Sequence, residues 1–382
     1  MRQTTFLSEN RRKKIAGGIL LAAAFALQIV PRLFPSFADW YSGNINPFLQ
    51  GSVGRAAGWF PFSVSEVLLY LLAAVAAVSG SLQAVKALKN KESAGFCRWA
   101  WSIFLAAGVL YFLYVVNCGI NYQKESFADS AGMKVTEYSV EDLKETCVWL
   151  TGEVNRLSGS VERDGAGVMR LTENRKNGEE NTMKRMKDLS EGPAEQAVNA
   201  MQKLGGSYPS LSGYYPRPKA LLNPWLLSVQ NLTGIYSPFT IEANYNSAMT
   251  DYNIPFTMCH ELSHLKGFMQ EEEANFIAFL ACISSEKEEF QYSGNLMGWI
   301  YCMNVLYKVD YHTWEEVRAT LADAVEADLD ANREFWNRYD TVAAEVSNKV
   351  NDTYLKANGQ DDGVQSYDRM TDLVVTYRKN MV

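Results

Sequence analysis

The sequence predicts three N-terminal transmembrane α-helices followed by a mainly helical α+β domain outside the membrane. Three observations predict it. Apolar residues gather in three long runs within the first 120 positions, each near the ~20 residues that cross a bilayer. Basic residues favour alternate sides of those runs. From residue 121 to 382 the chain changes to helical periodicity, interrupted by one β-like stretch.

The spans fall at about 15–31, 67–85 and 99–118 of the 382 residues, in a chain that is 47% hydrophobic. Buried helices of a water-soluble protein would be spread along the chain, whereas these three lie together in its first third. Arg11-Arg12-Lys13-Lys14 precedes the first run as it would in a signal peptide, but Pro31-Arg32-Leu33-Phe34-Pro35 follows it instead of a small-residue cleavage site, so a retained anchor is expected. Arg2 and the basic cluster at 11–14 lie before span one. Lys86, Lys89, Lys91 and Arg98 lie between spans two and three. The first loop has only Arg32 and Arg55, balanced by Asp39 and Glu66. The bias places the N-terminus in the cytoplasm and everything after span three outside it. The chain is thus expected to be a multi-pass protein of the cell membrane, residues 1–120 its anchor and 121–382 an extracytoplasmic domain.

In the exported part, Ser139-Val140-Glu141-Asp142 opens an amphipathic helix to Leu157 as a near capping box, with Asp142 where Glu or Gln is usual. Residues 155–191 are polar and read as loop or solvated helix. The Pro-containing segment 211–219 is irregular. Gly234-Ile235-Tyr236-Ser237-Pro238-Phe239-Thr240-Ile241-Glu242-Ala243-Asn244-Tyr245 reads as β-structure broken at Pro238. Helical patterning resumes at 296–307, 314–339 and 341–355, and a turn-rich loop at 358–363 leads to a closing helix.

The chemistry concentrates in His260-Glu261-Leu262-Ser263-His264. The chain has three histidines, and two of them stand four residues apart with a glutamate between them. Positions i and i+4 share a helix face, so both imidazoles can reach one Zn²⁺ while Glu261 stands by as a base. Pro255 suits the first turn of such a helix and Gly267 its end. A second helix follows, opened by Glu271, Glu272 and Glu273, and an acid there is a sensible third ligand for a tetrahedral zinc that keeps one open position. All three acids remain open on the residues alone. The spacing H-E-x-x-H-x-x-G-x-x-H would place the ligand at Gln270, a poor donor for zinc. His312 is a possible transition-state stabiliser, or simply the residue before a helix; Tyr245, Tyr301 and Tyr311 stand equally open.

The net charge of −7, with the cytoplasmic pieces basic, makes the exported domain more acidic still and argues against a nucleic-acid partner. No glycine-rich phosphate loop or dinucleotide fingerprint is present, so no nucleotide is expected. None of the six cysteines forms a C-x-x-C pair, though one disulfide outside the membrane is open.

The string Glu271-Glu272-Glu273-Ala274-Asn275 resembles the E-x-x-A-(N/D) segment that supplies the third ligand in many gluzincin metallopeptidases, which implies Glu271. Over nearly its whole length the chain also resembles a bacterial domain-of-unknown-function family of zincin-like membrane proteins. The likeness rests on Pro61-Phe62-Ser63-Val64-Ser65-Glu66, on Gly234-Ile235-Tyr236 with Pro238-Phe239-Thr240, on 259–281 around the motif, and on 344–356. It implies a gluzincin-like exported domain. The expected function is that of a membrane-anchored zinc metallopeptidase with Zn²⁺ on His260, His264 and Glu271 and Glu261 as base, acting on peptide or protein substrates of the cell envelope. Two rivals are weighed against it. A non-enzymatic zinc-containing sensor or assembly factor would not need Glu261. An intramembrane protease would need a longer apolar stretch around the motif than Asn253, Lys266 and Gln270 leave.

Overall fold

Three helices long and apolar enough to cross a membrane occupy the first third of the chain: Asn10–Leu33, Val64–Asn90 and Ala94–Asn117. The computed structural model describes residues 2–91, 94–171, 182–360 and 369–381. Ile19, Leu69, Leu71, Val75 and Val78 are each more than half exposed on these helices, a surface of the kind a bilayer covers. The first and third helices meet through small residues. A Cβ on Gly108 would lie 3.2 Å from the Gly17 carbonyl oxygen, and one on Gly17 would lie 2.6 Å from the Phe104 ring, so the two glycines let the backbones approach closely.

Outside these helices one continuous core forms. Helix Val140–Ser158 starts with a complete capping box, Ser139 and Asp142 each bonding the other's backbone N–H. It packs on Glu288–Val309, which in turn lies against Glu271–Ile283 and the motif helix Asn253–Leu265. The apolar stretch at 296–307 is the middle of that long helix, and Leu296, Cys302 and Leu306 are fully buried there. A three-stranded sheet of β1 (Lys219–Ala220), β2 (Gly234–Ser237) and β3 (Glu242–Tyr245) covers the motif helix in the order β1-β3-β2. β1 runs parallel to β3, whereas β2 and β3 form an antiparallel hairpin turning at Pro238, with β2 at the edge.

One expected helix is two. The patterning at 314–339 divides into Tyr311–Arg318 and Asp323–Asn337. The Asn155 side chain holds the break from both sides, donating to Thr320 O at 2.8 Å and accepting from Ala322 N at 2.8 Å. The six cysteines are all free, and the polar stretch at 174–181 lies outside the described residues.

Asp328 is the electrostatic anchor of this core. Its side chain is fully buried and accepts from Tyr292 Oη, from Met169 N at 2.6 Å and from Arg163 Nη1 at 2.9 Å. Asp328→Ala is expected to lower stability by about 3–5 kcal/mol, because it removes the acceptor shared by a fully buried phenol, a buried backbone N–H and a partly buried guanidinium. Denaturant unfolding of the full chain would check this; a loss below about 1 kcal/mol would mean the network holds nothing.

Hydrogen bonds cross residue 120 repeatedly. The Glu242 carboxylate accepts from Val64 N at 3.1 Å and Ser65 N at 2.9 Å, capping the second apolar helix, and it pairs with the buried Lys219. In return the Glu66 carboxylate accepts from Leu222 N and Asn223 N at 2.6 and 3.0 Å. The connection between the first two apolar helices is itself helical and reaches the motif helix: Gln50 Nε2 donates to Leu265 O at 2.8 Å. The anchor and the folded region outside it therefore form one interlocked structure.

Candidate metal centre

The motif helix ends where its sequence demands. Lys266 closes it and Gly267 follows at φ +86°, a left-handed position glycine adopts without strain. The reversal sends the chain into helix Glu271–Ile283, whose first residue comes back over the histidines. His260 Nε2 lies 3.2 Å and His264 Nε2 3.8 Å from Glu271 Oε2. The donor atoms of all three residues lie within 4.8 Å of one another, the one such cluster found among the described residues. Tetrahedral zinc with ligands at about 2.1 Å spaces its donors about 3.4 Å apart, and these distances bracket that value. The rings stand nearly perpendicular, at 86° with centroids 4.5 Å apart. His264 Nδ1 is 2.8 Å from Phe268 O; donating there fixes the tautomer that leaves Nε2 free to bind a metal.

Burial shapes the charges. It pushes His264 down to about 4, helped by the neighbouring His260, so this ring is neutral. Burial also opposes charge on His260, but Glu271 outweighs it and holds that imidazole above its ordinary value. Glu261 is pushed up to about 8, chiefly by burial; His260 opposes the shift and Glu271 adds to it. Its Oε2 is buried with no hydrogen-bond partner, as is His260 Nδ1. A cation among the three donors would draw the Glu261 carboxyl back down.

The family model described as a protein of unknown function (DUF3810) matches residues 41–375. The chain belongs to the DUF3810 family. No curated protein and no solved structure matches it. The matched residues of this DUF3810 protein take in the second and third apolar helices, the sheet and both site helices.

Elsewhere in the DUF3810 fold the other candidates turn away from the cluster. Glu272 accepts from Gln360 Nε2 at 2.6 Å, and Glu273 from Phe127 N at 2.6 Å. His312 is not brought to the site: its side chain is 82% exposed in the first turn of its helix, 3.4 Å from Glu316. Tyr311 is exposed and stacks on Trp314, and Tyr245 is fully buried at the end of β3. Tyr301 is partly buried against the core.

Two neighbours escaped the sequence reading. Tyr122, just past the third apolar helix, is buried close enough to Glu271 for its charge to reach the phenol. Burial first, then Cys118 and Glu271, hold that phenol well above its ordinary value. No spacing rule connects it to the motif. Gly234 of β2 faces Glu261 so closely that a Cβ would lie 2.4 Å from Glu261 Oε1 and 2.7 Å from Thr257 Cγ2. The signal for this was a glycine opening a β-like stretch, which marks close approach of another group.

Proposed function

We propose that this DUF3810 protein is a membrane-anchored zinc metallopeptidase with a zincin-like, gluzincin-type domain at 121–382 on the extracytoplasmic side and its anchor at 1–120. One observation carries the reading. Two imidazoles and a carboxylate converge at zinc spacing, and a buried glutamate with an unpartnered oxygen stands next to them in sequence. A structural zinc site needs the first feature and has no use for the second, which is why a zinc-keeping sensor or assembly factor explains less.

His260, His264 and Glu271 would hold the metal. When bound, zinc would serve as the Lewis acid that polarises a scissile carbonyl and acidifies water. Glu261 accepts the proton as water attacks the carbonyl carbon, then delivers it to the departing amine, so the hydroxyl stays on the acyl product and the proton leaves with the amine. Its dry setting suits a group that must both take and return a proton near neutral pH. Gly234 keeps β2 close to that carboxylate without pressing on it.

The test is cleavage of a broad peptide library by the full-length protein, abolished by a zinc chelator and restored by zinc. Tight zinc binding with no turnover would favour the sensor. Gly234→Ala is expected to retain zinc and lose roughly 10²-fold in turnover, since its methyl group displaces Glu261 by about an ångström. Unchanged turnover would show that this contact is slack. For orientation, Lys203→Cys should be labelled by a membrane-impermeant thiol reagent in intact cells. The exposed Cys97, in the first turn of the third apolar helix, should react only after permeabilisation. The reverse pattern would invert the topology.

A further inference from the structure

The position of β2 relative to the anchor limits what an extended chain could do at this site. β2 begins with Gly234 against Glu261 and ends at the anchor. Pro238 O accepts from the side chain of Asn117, the last residue of the third apolar helix, at 2.6 Å, and Tyr236 Oη reaches Asn117 O at 3.4 Å. The hairpin then returns to Glu242, which caps the second apolar helix. The strand thus runs from the proposed base to the membrane end of the fold over four residues, or about 13 Å. Among the described residues its far side is unpaired. Asn246 N donates to Thr233 O at 2.7 Å and Ile235 faces Asn244, so the ladder's alternation turns the amide groups of Gly234 and Tyr236 to the open edge. At the membrane end of that edge Phe239, in the turn after β2, is an exposed apolar side chain of the sort that sits at a bilayer interface.

We infer that the substrates are polypeptides tethered to the membrane on the N-terminal side of the cleaved bond, hydrolysed a few residues outside the bilayer. The inference rests on the peptidase reading above. A guest strand that continues the antiparallel order of β3 and β2 adds antiparallel to β2. Because β2 runs from site to membrane, the guest runs from membrane to site. Its N-terminal segment then leads to the ends of the second and third apolar helices, at Val64 and Asn117, the membrane face of the fold. A chain already rooted in the bilayer starts there. Hydrolysis breaks the peptide bond at the site, leaves the new carboxylate on the membrane-held stub and frees the C-terminal part with its new amine. Either a lipid on the N-terminus or an N-terminal hydrophobic span meets this requirement.

The experiment uses full-length, zinc-loaded protein in lipid vesicles with one randomised peptide library presented in four ways. These are free in solution, N-terminally acylated, fused behind an N-terminal hydrophobic span, and C-terminally lipidated. The expected result is cleavage of at least one N-tethered set at least about tenfold faster than of the C-tethered set, at bonds roughly 5–10 residues from the anchor whatever their sequence. The two N-tethered arms report which anchor chemistry is accepted. The C-tethered arm matters most, because it shares the local concentration and reverses only the polarity. Equal rates for N- and C-tethered sets, equal rates for free peptides, or cleavage at scattered distances would each overturn the inference while leaving the peptidase intact. No chelator-sensitive cleavage in any arm, with zinc bound, would overturn the peptidase reading and the inference together.

Discussion

Glu261→Gln is expected to reduce peptide cleavage by ~10²–10⁴-fold while zinc content stays at the wild-type level. The amide has nearly the shape of the carboxylate but no basic oxygen to accept water's proton. Glu261 is not one of the three converging donors and its Oε2 makes no hydrogen bond, so metal retention and chemistry should separate at one atom. Turnover by a purified Glu261→Gln protein within a few-fold of wild type would remove the base from the mechanism. Loss of zinc in the same variant would instead make Glu261 a ligand and require a new account of Glu271.

The second large effect is on the metal. His264→Ala is expected to weaken zinc binding at least about 100-fold, leaving too few protein donors for tight tetrahedral binding. Of the two imidazoles it is the one whose Nδ1 is held, by Phe268 O, and burial already keeps it neutral, so no proton has to leave before metal binds. Glu271→Gln should also weaken binding, since a neutral amide is a poor ligand. Glu272→Gln and Glu273→Gln should not, because those carboxylates are engaged with Gln360 and with Phe127 N. Metal analysis after dialysis distinguishes these outcomes. Release of zinc by the Glu272 or Glu273 variant, with Glu271→Gln unaffected, would transfer the ligand role along the helix.

What could be read from the sequence was what local geometry dictates. His260 and His264 meet because i and i+4 share a helix face, and Gly267 permits the reversal that brings the acids at 271–273 back towards them. Local geometry left those three open, and only the resemblance to the E-x-x-A-(N/D) segment singled out Glu271. The apolar helices and the capping box at Ser139 were legible for the same reason: each is settled within a few neighbouring residues. The interlocking of anchor and outer region was not legible. Glu66 and Glu242 are unremarkable acids in sequence, and the backbone N–H groups through which they join the two regions lie more than 150 positions away. Gly234 and Tyr122 depend likewise on how distant segments pack. His312 shows the opposite error. Residue type alone proposed it, and packing leaves it facing solvent beside Glu316. The break within 314–339 was hidden because Asn155, on another helix, holds it open.

The cap that Glu242 places on the second apolar helix also bears on biogenesis. The N–H groups at the head of that helix are made early, while their carboxylate partner follows 178 residues later. During synthesis the apolar helices emerge first and must wait with that end unfinished until the sheet that follows has folded and delivered Glu242. A nascent chain stopped after the third helix would carry an incomplete anchor. A fragment cut free of its helices to make a soluble version would bury the Lys219–Glu242 pair beside an empty socket. The later part of the chain is in this sense the last piece of its apolar helices.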